Sequence, residues 1–403
     1  MSGGYELHQK LRTKAVRLLK KKDYAQAISI LHTGAVDLLK QKEQGSGCDI
    51  AVYLVDVYEQ SDAQVNDETR GRLVEILDLT APDFWRKKVA DAALKWSAKA
   101  SGQEGGDPTL RISIAQLYAR EGSFHIAEPH YIAGCVKDGS AAQVDASIDD
   151  AAIPAALAQL EVDWLKQHSA ATLAQEGESR AQAVIERLEV GKFALRALLP
   201  LLAQRALSAS QTFLSTFTQL VTKQTDKLLI PIKPNPKPYT PQPALANIPS
   251  ALTDLQIYVT SSPDLNFAQM TLGLVAQGAG YKSSRRGAVP MELRNAWISV
   301  VRQYQRENSE FFEDEEYVSD ALTIISSIYF DIAPPRGQGN MLQDMMSSLF
   351  GGGGQQSKPA TLALKSAGVP SLPKVEQAVV PAAPAAPIAV AAPAAPLDEE
   401  ELD

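Results

Sequence analysis

One recurring spacing limits what this chain can fold into. Leu7, Leu11, Ala15, Leu18 and Leu19 fall at i, i+4, i+8, i+11 and i+12, the positions that share one face of a helix. Lys21, Lys22 and Asp23 interrupt the run, and Tyr24, Ala27, Ile28, Leu31, Ala35, Leu38 and Leu39 begin it again. After "EQGSGC", Ile50, Tyr53, Leu54, Val57 and Tyr58 start a third stripe. A short helix with one apolar face cannot bury that face alone, so a succession of them must stack. The expected fold is all-α: an irregular α-solenoid of tetratricopeptide-like helix pairs.

A weak internal echo supports stacking. "KKDYAQAISIL" and "REGSFHIAEPHYI" share a polar turn, an aromatic (Tyr24, Phe124) and an alanine three residues on (Ala27, Ala127). The two segments lie 100 residues apart, close to three repeats of about 34 residues. Helical patterning then continues to about Thr222.

Leu228–Pro249 contains seven prolines and cannot be helical. The flanking pieces "LLIPI" and "LQIYV" are expected to pair as a β-hairpin with a proline-rich tip, an insertion at about 225–262. Helical pattern resumes at "DLNFAQMTLGLVAQ" and runs to Phe330, and "NMLQDMMSSLF" closes the folded part. The expected organisation is N-terminal repeats over 1–150, C-terminal repeats over 151–350 and a Gly/Pro/Ala-rich disordered tail over 351–403. Within that tail Val379–Leu397 is apolar, but its five prolines read as an extended linker and not as a membrane anchor.

Two cysteines, Cys48 and Cys135, suggest a reduced, cytoplasmic chain, and the N-terminus has no apolar signal region. "FALRALLPLLAQRAL" is broken by Arg196, Pro200 and Arg205, so direct membrane insertion is not expected.

No catalytic or cofactor constellation is legible. "EQGSGCD" lacks the preceding strand and following Lys-Ser/Thr of a phosphate loop. Its glycines are expected to end one helix, with Asp49 capping the next. Glu121, His125 and Glu128 could share a face, but no further ligand makes a metal site of them, so structural roles are expected.

Charge is more informative. The formal net charge is -8, yet Lys10, Arg12, Lys14, Arg17, Lys20, Lys21 and Lys22 occur without an acid among them. Lys10, Lys14, Arg17 and Lys21 form one stripe, in which like charges repel at a cost of a few tenths of a kcal/mol per pair. The reading is a docking surface for an acidic protein partner. A solvated face and a nucleic-acid or membrane surface are the alternatives, and nucleic acid is not expected as the partner of an acidic chain. Leu342, Met345, Met346, Leu349 and Phe350 make a Met-rich helical face, which suits either solenoid capping or an adaptable contact.

Three stretches carry a resemblance: "KKKDYAQAISILHTGAVDLLKQKEQGSGCDIAVYLVDVYE", "EGSFHIAEPHYI" and "NMLQDMMSSLFGG", with "SPDLNFAQMTLGLVAQ" and "YFDIAPP" adding to them. The chain resembles the subunit-four family of the Golgi-to-ER traffic system, the transmembrane-recognition-complex scaffold that serves tail-anchored proteins. The resemblance implies a non-enzymatic cytosolic adaptor without cofactor. Its N-terminal half would dock the ATPase that targets tail-anchored proteins, with Arg17 and Lys20 matching docking positions and Asp49 matching an acid that restrains ATP hydrolysis. Lys10, Lys14 and Lys21 extend that surface. Its C-terminal half would hold a ubiquitin-like partner that recruits a tetratricopeptide co-chaperone, with Leu255, Ile257, Val259, Leu342, Met345 and Met346 as candidate contacts. A helical-repeat scaffold of another regulatory or RNA-binding complex is the alternative.

Overall fold

The computed structural model describes residues 3–103, 105–136, 151–176, 181–240, 255–283, 288–308 and 316–333. Thirteen helices and one short ribbon occur among them. The first seven helices are α1 (Gly3–Lys20), α2 (Tyr24–Lys40), α3 (Gln44–Gln60), α4 (Asp67–Leu79), α5 (Phe84–Ser101), α6 (Pro108–Arg120) and α7 (Phe124–Gly134). Then come α8 (Ala152–Glu176), α9 (Gln182–Ala203), α10 (Leu207–Gln224), α11 (Pro263–Ser283), α12 (Met291–Glu307) and α13 (Glu316–Phe330). Leu342–Phe350 and the tail from 351 lie outside the described residues.

The reversals between helices share one device. At the end of α1, Lys22 takes φ 59°, Asp23 N–H donates to Leu18 O and Lys22 N–H donates to Leu19 O. This left-handed stop satisfies carbonyls that the ending helix leaves open. Lys42, Asp62, Gly122 and Arg205 repeat it after α2, α3, α6 and α9. The sequence echo at Tyr24 and Phe124 is this same turn, and Ala27 and Ala127 are both fully buried behind it.

Reversal within a few residues makes the helices stack. Successive helices pack on one another except α3 and α4, which pack instead on α5 and α2; α1 also touches α3, and α4 touches α6. That is the expected solenoid of helix pairs. Further along, α9 becomes the centre, with α7, α8, α10, α11 and α13 around it. Its apolar run from Phe193 to Ala203 is buried almost throughout. Among the described residues no helix is long and apolar enough to cross a membrane.

The ribbon differs from expectation. β1 (Lys237–Pro238) pairs antiparallel with β2 (Gln256–Ile257), while "LLIPI" contributes a single bridge, Leu229 to Thr260. Proline nitrogens at 231, 234 and 236 have no hydrogen to give a ladder. Asn235 fills the gap with its side chain: Nδ2 donates to Ile230 O and Val259 O, and Oδ1 accepts from Val259 N–H. Tyr239, one residue beyond β1, is anchored by a hydrogen bond from Gln277 on α11.

One charged cluster sits inside the core where α7, α8 and α9 meet. Arg196 donates to both oxygens of Glu128, at 3.0 and 2.7 Å, and its guanidinium lies 4.1 Å from the Trp164 ring centre. Glu161 is fully buried, and neither of its oxygens has a hydrogen-bond partner among the described residues. Burial, and then the Glu128 carboxylate, push its carboxyl well above the ordinary range, against the pull of Arg196. A group with a raised folded value favours folding most below its unfolded value, and that contribution fades as pH rises towards the folded one. Glu161→Gln should therefore unfold in more urea than the natural chain at about pH 8, with the gap closing by about pH 5. Equal midpoints at both pH values would mean that Glu161 ionises in the core without cost.

Candidate partner-docking site

Among the described residues α1 packs on α2 and α3, which cover only part of its circumference. Ala15 and Leu18 are buried against α2 and α3, and Leu11 enters a notch on α2 made by Gly34, where an added Cβ would meet Leu11 Cδ1 at 2.3 Å. Lys10, Lys14, Arg17, Lys20, Lys21 and Lys22 are exposed. None of these six makes an ion pair among the described residues. The stripe predicted from spacing is thus present as an open cationic face. Exposed Tyr5 and Val16 lie on the same helix.

The other flank of α1 is different. His8 Nε2 lies 2.8 Å from Asp49 Oδ2, and Arg12 Nη1 donates to the same oxygen at 2.6 Å. Arg12 also lies over the Tyr53 ring, 5.2 Å from its centre. His8 and Arg12 are four residues apart and so share a face, as do Asp49, Tyr53 and Asp56 on α3. The clamp ties α1 to α3. Burial acts to raise the Asp49 carboxyl, but the hydrogen bonds and charges of His8 and Arg12 outweigh it and hold it below the ordinary range. Asp56, exposed on the same side of α3, is shifted the opposite way by burial and then by Glu59.

This corrects the reading of Asp49 as a helix cap. α3 starts at Gln44, so Asp49 stands in its second turn, and the N-cap is Glu43. The left-handed residue is Lys42, and the glycines of "EQGSGC" lie inside the helix. Gly47 has a packing reason: an added Cβ would meet Leu39 Cγ at 2.7 Å, so glycine lets α3 lie close on α2. Spacing identified the stripe. The clamp was missed, because no sequence pattern announces a bond between residues 8 and 49.

The C-terminal candidates divide. Leu255 is 3% exposed and faces this chain's own core, so it supports the ribbon and offers no surface to a partner. Ile257 and Val259 are half-buried, while Ile230 and Ile232 on the proline-rich side are exposed apolar residues that the pattern did not single out. Leu342, Met345 and Met346 lie outside the described residues.

The other noted polar groups serve packing. Glu121 pairs with buried Arg86, which also bonds Thr80, and Glu128 holds Arg196. His130 stacks on Tyr118, and burial lowers its pKa to about 4. Burial pushes the Cys48 thiol up to about 12, far from a reactive thiolate. Among the described residues no group of three or more His, Cys, Asp or Glu is placed to hold a metal ion.

A stack of helix pairs with one open cationic wall is a scaffold that works by contact. The family model for "Golgi to ER traffic protein 4" matches residues 21–350, and the chain belongs to that family. The Schizosaccharomyces pombe protein of that name is 25% identical over 349 residues, covering 86% of this chain and 91% of its own. The Aspergillus fumigatus protein of that name is 27% identical over 369 residues, covering 87% and 86%. The crystal structure of C. therm. Get4 superposes with a TM-score of 0.60 at 29% identity, covering 87% of this chain and 90% of that one. A part in Golgi-to-ER traffic comes with the family. The family model begins at Lys21, so α1 and most of its stripe precede it.

Asp49→Asn should lower folding stability by about 0.5–1 kcal/mol at neutral pH, the size of a partly exposed ion pair. A carboxyl with a lowered folded value stabilises above its unfolded value and loses that contribution as pH falls through the folded one. Urea midpoints of the two proteins should therefore converge by about pH 2.5. A gap that persists in acid would show that the lost contacts are not ionic.

Proposed function

We propose that this chain is a cytosolic adaptor that joins a ubiquitin-like protein, and through it a tetratricopeptide co-chaperone, to the ATPase that targets tail-anchored membrane proteins to the endoplasmic reticulum. Its role is binding, not catalysis. The family match across residues 21–350 carries the reading. The open cationic face of α1 accords with it.

In this reading the ATPase docks through an acidic surface on Lys10, Lys14, Arg17, Lys20 and Lys21. Exposed, unpaired cations on a rigid helix speed encounter with an acidic surface and make it salt-sensitive. Leu18 and Ala15 fix the helix from behind, so the cations are presented at set spacing at little entropic cost. Asp49 stands beside this surface and gives it a second sign of charge. The ubiquitin-like partner occupies the opposite end, where Ile257 and Val259 lie with the exposed Ile230 and Ile232. Leu342, Met345 and Met346 complete that grip.

Charge reversal at Arg17 and Lys20 tests the ATPase contact. The double Glu variant should keep the helical circular dichroism of the natural chain and bind the ATPase at least about tenfold more weakly at low salt. Unchanged affinity at low ionic strength would place the contact elsewhere.

A further inference from the structure

The chain up to Val136 and the chain from Ala151 onwards meet chiefly at one seam, where α7 packs on α8 and α9. Apolar contacts line it. The Phe124 and Trp164 rings lie 6.3 Å apart, and an added Cβ at Gly134 would meet Ile112 Cδ1 at 2.7 Å and Ile153 Cγ2 at 3.7 Å. Apolar contact is non-directional, so it holds surfaces together without fixing how they are turned. α7 is 11 residues long and has Pro129 inside it, so its ladder lacks one donor right beside Glu128. Across this seam Arg196 of α9 grips Glu128 of α7 through two nitrogens, at 3.0 and 2.7 Å. The two side chains are 0% and 5% exposed. Among the described residues this is the one ion pair that joins the two lengths of chain. Trp164 of α8 backs the guanidinium with its ring, so three helices hold the same group.

Stability does not account for Glu128, Glu161 and Arg196 lying together in the core. Taking such groups out of water costs more than one pairing recovers, and apolar residues of like volume are commonly as stable or more so. Arg196 Nη1 and both Glu161 oxygens have no hydrogen-bond partner among the described residues, which adds to that cost. A two-bond fork does supply what apolar contact lacks, a preferred direction. From this we infer that the Arg196–Glu128 fork, backed by Trp164, is an orientation lock: it fixes the angle between the helices up to α7 and those from α8 onwards, while lowering stability. Sliding α7 on α9 by about 1 Å would break at least one of the two bonds, with no water at hand to replace it. The two ends of the scaffold are thereby kept at a set separation. This holds whatever molecules those ends bind.

The test is a distance measurement by pulsed electron spin resonance on the full chain. Spin labels at Lys95→Cys on α5 and Glu292→Cys on α12 span the seam, and labels at Ser29→Cys on α2 and Lys95→Cys do not. All three positions are exposed, whereas Cys48 and Cys135 are buried away from the label. In a Glu128→Leu, Glu161→Leu, Arg196→Met variant the α5–α12 distance distribution should broaden by at least about twofold, with a urea midpoint no lower than that of the natural chain. The α2–α5 distribution should stay as it was. Arg196→Lys keeps the charge but loses the fork, and should also broaden the α5–α12 distribution. Leu54→Ala, a truncation at a fully buried position on α3, should lower the midpoint and change neither distribution. A triple variant with the natural α5–α12 width and centre would overturn the lock, since apolar packing alone would then set the angle. So would equal broadening in Leu54→Ala, which would make lost stability the cause. A triple variant less stable than the natural chain would overturn the claim that the lock lowers stability. If that variant did not fold at all, Arg196→Lys would decide the rest: an unchanged distribution sinks the lock and a broadened one supports it.

Discussion

The left-handed stop between successive helices is the constraint on which the rest of the structure depends. One residue with positive φ turns the chain through a reversal and closes two hydrogen bonds onto carbonyls the helix leaves open. Four of the five such positions are not glycine: Lys22, Lys42, Asp62 and Arg205. Each accepts backbone strain to obtain a short, fixed connection. Short connections force neighbouring helices to lie antiparallel, and their apolar faces then merge into one continuous core. Among the described residues α1 packs on α2 and α3, and its basic side is open.

Charge is sorted on that helix by its two flanks. One flank sends Lys10, Lys14, Arg17 and Lys21 into solvent without a partner. The other turns His8 and Arg12 inward onto Asp49. Repulsion within the stripe costs folding energy, and no ion pair among the described residues offsets it. The core contains the reverse arrangement. Arg196, Glu128 and Glu161 are fully enclosed, and there the absence of water makes each missing partner expensive. The same residue types thus stand unpaired where solvent screens them and, as with Arg196 and Glu128, pair where it does not.

The proline-rich insertion shows how a chain without backbone donors can still form a ribbon. Asn235 lends its amide to the carbonyls of Ile230 and Val259 and accepts from the Val259 N–H, replacing ladder bonds that proline cannot make. The spacing of apolar residues identified the β-prone pieces, but only "LQIYV" kept its expected part in regular pairing. Its partner was Lys237–Pro238, held by Tyr239 against α11, a choice made by packing over a long separation.

The sequence by itself determined the helices, their buried faces, the turn shared by Tyr24 and Phe124 and the basic stripe. Each of these is set by contacts within a few residues, where helical geometry converts spacing directly into position. The tertiary structure alone decided that Asp49 is clamped and not a cap, that Gly47 is a packing surface and not a stop, and that Leu255 faces inward. It also decided that Glu128, Glu161 and Arg196 meet in the core. Those outcomes join residues tens of positions apart, and chain spacing contains no information about which side chains a stack of helices will bring within bonding distance.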